Sequence, residues 1–336
     1  MGIETNEISV NAKGGTEMMV ERLKTINPGL LDQFQIIPSR VRNLDDSKRR
    51  IYWAHDLPND PESQHLKNGG WQKFNKLVFV SHWQQQLYIN YFGIPWSKTQ
   101  VLQNAIEPVN IDKSYIEEKF EMLENDRINL IYHTTPHRGL RLLVPVFEQL
   151  AEKHPEIHLD VYSSFEIYGW GQRDEEFKDV FRKILDHPQM SYYGSKPNAV
   201  VKEALKKAHV FAYPSIWPET SCIALMEAMS AGCICVHPDF AALPETAANL
   251  TNMYTWIEDE NKHKNAFYSI MDYTIHSLKK KKFQSIVHLQ KLYVDTFYDW
   301  NLRKNQWENF LRNLMDEPIF PVENNVGPDA FIYRTN

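Results

Sequence analysis

The chain has 336 residues, 43% hydrophobic and 24% charged, with a formal net charge of −6. That length predicts two domains of about 150 residues, and the composition excludes a disordered polypeptide. The acidic balance argues against nucleic acid as a partner, and no run approaches the ~18 apolar residues that cross a bilayer.

The N-terminus lacks the basic-then-apolar pattern of a signal peptide, which predicts a soluble, cytoplasmic protein. The cysteines, Cys222, Cys233 and Cys235, are odd in number and have no metal-like spacing to histidine. They read as reduced core residues, not as a disulfide framework or a zinc site.

Only Ile8, Ser9 and Val10 precede the first glycines, so a first strand there is short or absent. Next comes Lys13-Gly14-Gly15-Thr16-Glu17, ahead of a helix expected from Thr16 to Lys24. Paired glycines let backbone N–H groups approach a ligand, and a plain turn capped by Thr16 is the structural alternative. Strands are expected at Gln35 to Ile37, Arg50 to Ala54, Leu77 to Ser81 and Gln100 to Leu102, with a helix from Gln84 to Tyr91. The second of these strands ends in His55, at the carboxyl edge where open α/β sheets bind ligands. A lone histidine without context is more often structural than catalytic.

After the polar segment Asp112 to Arg127, where a domain boundary is expected, strands and helices alternate. Strands read at Ile128 to Thr134, Ile157 to Ser163, Met190 to Tyr193, His209 to Tyr213 and Cys233 to His237. Helices read at Leu140 to Lys153, Asn198 to Lys207 and Thr220 to Ala231. This alternation predicts a parallel sheet covered by helices on both faces, with Pro145 kinking the first helix or marking its late start. Phe283 to Leu314 reads as an aromatic-rich helical segment. Lys279 to Lys282 is the one basic run, compatible with weak peripheral contact at the inner face of a membrane or with a solvated helix end.

Between Trp217 and Gly232 runs an apolar helix of small residues, with Glu219 just before it and Glu227 as its only internal charge. If Thr220 or Ser221 caps this helix, its free N–H groups face whatever Glu219 faces, an anion site beside a carboxylate. Eight helical steps rise roughly 12 Å, so the two glutamates are spaced to hold the ends of an extended ligand. A nucleotide sugar has that shape. The structural alternative is a buried Glu227 tied to an Arg or Lys.

The segments Tyr213-Pro214-Ser215, Pro218-Glu219-Thr220, Leu225-Met226-Glu227-Ala228-Met229 and Ala231-Gly232 resemble the Glu-x7-Glu signature of family 4 retaining glycosyltransferases, which have the GT-B fold. The resemblance implies an α/β chain with two Rossmann-like domains facing across a cleft, and a C-terminal helix crossing back to the N-domain. The expected division is an acceptor domain over 1–122, a nucleotide-sugar donor domain over 123–290, and a helical segment over 291–336 packing back on the N-domain.

By the same resemblance, Glu219 contacts donor-sugar hydroxyls and Glu227 the nucleotide ribose, although Thr220-Ser221-Cys222 stands where the family has Gly-Phe-Gly. Gly14 and Gly15 match the glycine pair near the donor diphosphate, and His55 matches the N-domain histidine near the reacting sugar. Arg138-Gly139 matches the family's Lys-Gly, while Tyr132, His133 or Thr134 stands at the strand end where the family has Arg. Diphosphate neutralisation then rests on Arg138, or on another cation such as Lys196. Arg138 pairing with Glu219 or Glu227 is the structural alternative to that role. Gly194 and Ser195 resemble the loop beside the nucleotide base, and Ser81 and Asn104 follow the family's spacing as acceptor-side residues.

The implied function is transfer of a sugar from a nucleoside-diphosphate donor to a glycan or other hydroxyl acceptor, without a cofactor. No Asp-x-Asp triplet occurs, so no metal is expected. Two other readings are a glycoside hydrolase using the glutamate pair and a non-catalytic module that binds a nucleotide sugar or glycan.

Overall fold

The computed structural model describes residues 2–5, 14–121, 123, 127–278 and 284–319. Ile8, Ser9, Val10, Lys13 and the run Lys279 to Lys282 lie outside the described residues. The chain forms two compact units, one of Met1–Ala105 with Trp300–Asn336, the other of Ile106–Asp299.

The first unit contains α1 (Gly15–Leu23), α2 (Pro28–Leu31), β1 (Phe34–Pro38), β2 (Arg49–Ala54), β3 (Lys76–Phe79), α3 (His82–Phe92) and β4 (Thr99–Val101). Its strands lie in the order β1-β2-β3-β4, all parallel, with Ile36 opposite Ile51 and Trp53 opposite Val78. Every residue of β1 is buried, as expected for a parallel strand covered on both faces. Ile3 makes a parallel bridge to Ile36. Ser81 caps α3 and Gly93, in the left-handed region at φ 66°, ends it.

The second unit contains α4 (Lys113–Glu121), β5 (Ile128–Tyr132), α5 (Leu140–Lys153), β6 (Ile157–Val161), α6 (Lys178–Asp186), β7 (Met190–Tyr192) and α7 (Asn198–Lys207). It continues with β8 (Val210–Ala212), α8 (Ile223–Ser230), β9 (Ile234–Pro238), α9 (Leu243–Ala247), β10 (Asn252–Tyr254), α10 (Glu260–Leu278) and α11 (Gln284–Phe297). The parallel strands run in the order β10-β9-β8-β5-β6-β7. From β5 the chain builds outward to β7, then α7 returns it to β8 and it builds the other way. The order therefore reverses between β5 and β8.

The division at Ala105/Ile106 and Asp299/Trp300 differs from the expected 122/123 and 290/291 for reasons visible in the packing. The Lys119 ammonium of α4 donates to the carbonyls of Ala208, Ala231 and Gly232 at 3.0, 3.0 and 2.8 Å, gripping the C-terminal ends of α7 and α8. A Cβ on Gly232 would lie 2.9 Å from the Ile116 side chain, so α4 sits tightly on the second unit. The chain enters and leaves that unit side by side, since the Ile106 amide donates to the Tyr298 carbonyl at 2.8 Å. This pairing interrupts the single helical segment expected over Phe283 to Leu314. Beyond it, α12 (Trp300–Leu314) joins the first unit, with Trp307 fully buried 5.0 Å from Trp53 and the Arg49 guanidinium donating to the carbonyls of Met315 and Glu317.

Two local expectations are corrected. Pro145 lies inside an unbroken α5, whose buried face includes Leu143, Val144, Val146, Phe147 and Leu150; burial of that face outweighs the roughly 3 kcal/mol that an internal proline costs. The glutamate-bearing helix begins at Ile223 with Cys222 as its N-cap and no side-chain cap, so neither Thr220 nor Ser221 caps it. Tertiary contact sets this start, because the Glu219 carbonyl accepts from the Ala242 amide at 3.1 Å and holds the preceding residues out of the helix.

Candidate active site

In open α/β sheets the point where strand order reverses forms a crevice at the carboxyl edge. In the second unit that point lies between the loop after β5 (133–139) and the loop after β8 (213–222). The loops are pressed together. Gly139 has φ +139°, and a Cβ there would come within 2.3 Å of the Pro214 carbonyl oxygen, so glycine is required. The Ile216 amide donates to the Arg138 carbonyl at 3.1 Å.

This clamp brings Arg138 and Glu219 together. Arg138 Nη1 donates to Glu219 Oε1, Nε to Thr135 Oγ1 at 3.1 Å, and Nη2 to the Tyr168 hydroxyl at 3.4 Å. The Tyr213 hydroxyl donates to the same Glu219 oxygen. Burial, then the adjacent Glu219 charge, push the Tyr213 hydroxyl well above its usual range, so it stays a donor. Burial opposes the charge on Arg138, but the Glu219 carboxylate outweighs it and holds the guanidinium ionised. The Glu219 side chain is 6% exposed and that of Arg138 21%, so this is a largely buried pair with one open side. The structural alternative for Arg138 is thus realised, and its pairing opposes any simple role as an unencumbered phosphate ligand.

Glu227 is held differently. It is buried on α8 and accepts from the Asn198 amide nitrogen at 2.9 and 3.1 Å, with the Lys202 ammonium 4.0 Å away. Both partners are on α7, and Asn198 is the first residue of that helix. Gly194, left-handed at φ 66°, and Ser195 form the loop between β7 and α7. The site residues of this unit therefore sit on three loops at one edge of the sheet: Arg138 and Gly139, Gly194 and Ser195, and Glu219 with Thr220 and Ser221.

Aromatic rings extend the β5 loop. His137 stacks on Phe165 at 5.1 Å and meets the edge of Trp217 at 4.8 Å. Burial first, then the guanidiniums of Arg138 and Arg173, lower the His137 pKa to about 3; burial lowers that of His133 to about 4. Both imidazoles are neutral near pH 7.

The remaining expected residues lie in the first unit. Gly14 is the N-cap of α1 and Gly15 its first residue, which places Thr16 inside the first turn and corrects its capping role. His55 follows β2, its backbone amide donating to Ser39 Oγ at 3.0 Å and its ring 4.5 Å from that of Trp53. Burial lowers its pKa to about 3, so it too is neutral. Ser81 Oγ accepts from the Gln84 amide at 3.0 Å and caps α3. Asn104 is buried in the loop after β4.

Tyr213, Thr135, Tyr168, Asn198 and Lys202 escaped sequence reasoning. Tyr213 stands within the signature, and the start of α7 carried the only signal for Asn198. Among the described residues no group of three or more His, Cys, Asp and Glu side chains converges as a metal site. No described helix is long and apolar enough to cross a membrane.

Residues 114–280 match a family model described as glycosyl transferases group 1, so the chain carries a glycosyltransferase group 1 domain. One component of the phosphatidylinositol N-acetylglucosaminyltransferase of Arabidopsis thaliana is 22% identical over 171 residues, covering 51% of this chain. The matched region spans 36% of the length of that relative. A glycosyltransferase from Rickettsia africae superposes with a TM-score of 0.66 at 16% identity, covering 93% of this chain and 85% of that one. Anabaena Alr3699/HepE, solved with UDP and glucose, superposes with a TM-score of 0.63 at 15% identity, covering 88% and 81%. The α/β architecture with two parallel sheets is that of the GT-B glycosyltransferases.

Proposed function

We propose that the chain is a retaining glycosyltransferase of the Glu-x7-Glu type, moving a sugar from a nucleoside-diphosphate donor to a hydroxyl acceptor without a metal. The observation that carries this reading is the placement of Arg138 and Glu219 on the two loops at the reversal of strand order, beside the start of α8.

Arg138, held by Glu219, Thr135 and Tyr168, turns its permanent charge and its remaining N–H donors to the leaving diphosphate. The first amides of α8 add the positive end of a helix. These charges are held in place before reaction, which is what electrostatic stabilisation of a leaving group needs. Glu219, oriented by Arg138 and Tyr213, accepts from donor-sugar hydroxyls, and Glu227, oriented by Asn198, accepts from the ribose. Gly194 and Ser195 lie beside the base. In the first unit, Gly14 and Gly15 serve the diphosphate and acceptor side, neutral His55 lines the reacting face, and Asn104 and Ser81 border the acceptor. A diphosphate oxygen takes the acceptor's proton as the new bond forms on the face the diphosphate leaves, which retains the anomeric configuration.

The test is calorimetry with UDP, GDP, ADP and CDP sugars, followed by NMR of the product anomer with and without EDTA. Binding of one donor, an unchanged anomeric configuration and EDTA-insensitive turnover are expected. Binding without turnover under a broad acceptor panel would instead make the chain a binding module, and glycan cleavage in the absence of nucleotide would make it a hydrolase.

A further inference from the structure

The proposed donor site has a charge deficit. The positive charge of Arg138 already faces the carboxylate of Glu219, so the pair is close to neutral while a diphosphate brings at least two negative charges. Excluded from water, such an anion needs further cationic donors.

One further guanidinium is joined to the loop of Arg138 through a stack of rings. Arg173 lies in the turn Gly171–Phe177, between β6 and α6. It sits 4.5 Å from the centre of the Phe165 ring and 5.6 Å from that of Trp170. Phe165 is 2% exposed and stacks on His137, the neighbour of Arg138. The turn is pinned from within, because Asp174 accepts from the Ser164 hydroxyl at 2.5 Å and the Phe165 amide at 2.9 Å. Among the described residues Arg173 forms no ion pair, and its side chain is exposed. On the loop it adjoins, His133 Nε2 and His137 Nδ1 are buried and lack hydrogen-bond partners among the described residues. A cation without a counter-ion among the described residues, joined to the neighbour of Arg138 through the Phe165 ring, is what a polyanionic ligand at Arg138 would draw on.

We propose that Arg173 is the second cation for the donor diphosphate, reaching across the Phe165 and His137 rings to a phosphate oxygen beside Arg138. It supplies the net charge that Glu219 removes from Arg138. The inference rests on the donor-site reading above.

The experiment measures binding of UDP, GDP, ADP and CDP, and of the four matching nucleosides, to the full chain by calorimetry at two salt concentrations. The wild type is compared with R173Q, R173K and, as a surface control on α6, R182Q. Wild type is expected to bind one diphosphate. R173Q should weaken that binding about 10-fold or more and flatten its salt dependence, with no change in nucleoside affinity, while R173K recovers most of the loss and R182Q changes nothing. Wild-type-like diphosphate affinity in R173Q, with the wild type binding well, would overturn the role of Arg173 and leave the donor reading standing. A wild type that binds no nucleotide would overturn both. Matching melting temperatures for R173Q and R173K show that the comparison is between folded proteins.

Discussion

The Arg138 guanidinium donates to the Glu219 carboxylate across 81 residues of sequence, and the two side chains are largely buried. Removing one member of such a pair leaves the other charge buried without compensation, which costs about 3 kcal/mol or more. Glu219→Gln is therefore expected to lower the urea midpoint of the second unit and to reduce transfer about 100-fold. Arg138→Lys keeps the charge but not the fork, so it should recover stability better than turnover. Wild-type turnover in Glu219→Gln would remove this carboxylate from the mechanism.

Asn198 gives the Glu227 carboxylate its neutral amide donor. Asn198→Ala removes that donor at a cost of about 1–3 kcal/mol. Asn198→Asp sets carboxylate against carboxylate, and nucleoside binding should fall further than in Asn198→Ala. Equal nucleoside affinity in all three proteins, measured by calorimetry, would mean that Glu227 does not hold the ribose.

Gly139→Ala forces a Cβ against the Pro214 carbonyl oxygen at a positive φ. Strain of this kind costs about 1–3 kcal/mol. Because the same clamp carries Arg138, activity is expected to drop more than a stability loss of that size explains. Unaltered kcat and melting temperature in the Gly139→Ala variant would show that the two loops are not tightly apposed.

Burial lowers the pKa values of His55 to about 3 and of His133, His209 and His237 to about 4. The unfolded chain then binds more protons than the native one below about pH 6.5, so stability rises with pH in that range. The contribution is complete above about pH 6.5 and is lost as the pH falls towards 4 and below. His209 Nδ1 accepts from the Asn129 amide at 2.9 Å, a bond that needs the neutral ring. Urea midpoints at pH 7.5 and 5 should therefore differ clearly, and His209→Gln should reduce that difference; a flat profile in the wild type contradicts the assignment.

Lys119 holds three carbonyls at the ends of α7 and α8. Lys119→Met preserves much of the side chain's bulk while stranding those acceptors. It should destabilise the second unit by about 2–4 kcal/mol with little effect on KM at permissive temperature. Chemical denaturation monitors the first quantity and steady-state kinetics the second.

Much of the second unit is legible in its sequence. α5 and α7 fall on the expected residues because their apolar spacing is a local signal, and the expected strands overlap β5 to β9 because each is a short apolar run between turn residues. The Glu-x7-Glu spacing is legible for the same reason, since both residues flank or occupy one helix. In sequence α4 reads as a polar linker, because the partners of its lysine are carbonyls almost 90 or more residues away.

The sequence alone therefore determined the α/β alternation, the parallel second sheet, Glu219 at its carboxyl edge and Glu227 within the helix that follows, because periodicity and helix spacing depend on neighbours in the chain. Tertiary structure decided that Arg138 meets Glu219, that Asn198 holds Glu227, that Cys222 begins α8 and that the second unit ends at Asp299. Those pairings follow from strand order and loop apposition, which bring distant residues together through contacts that no local pattern encodes.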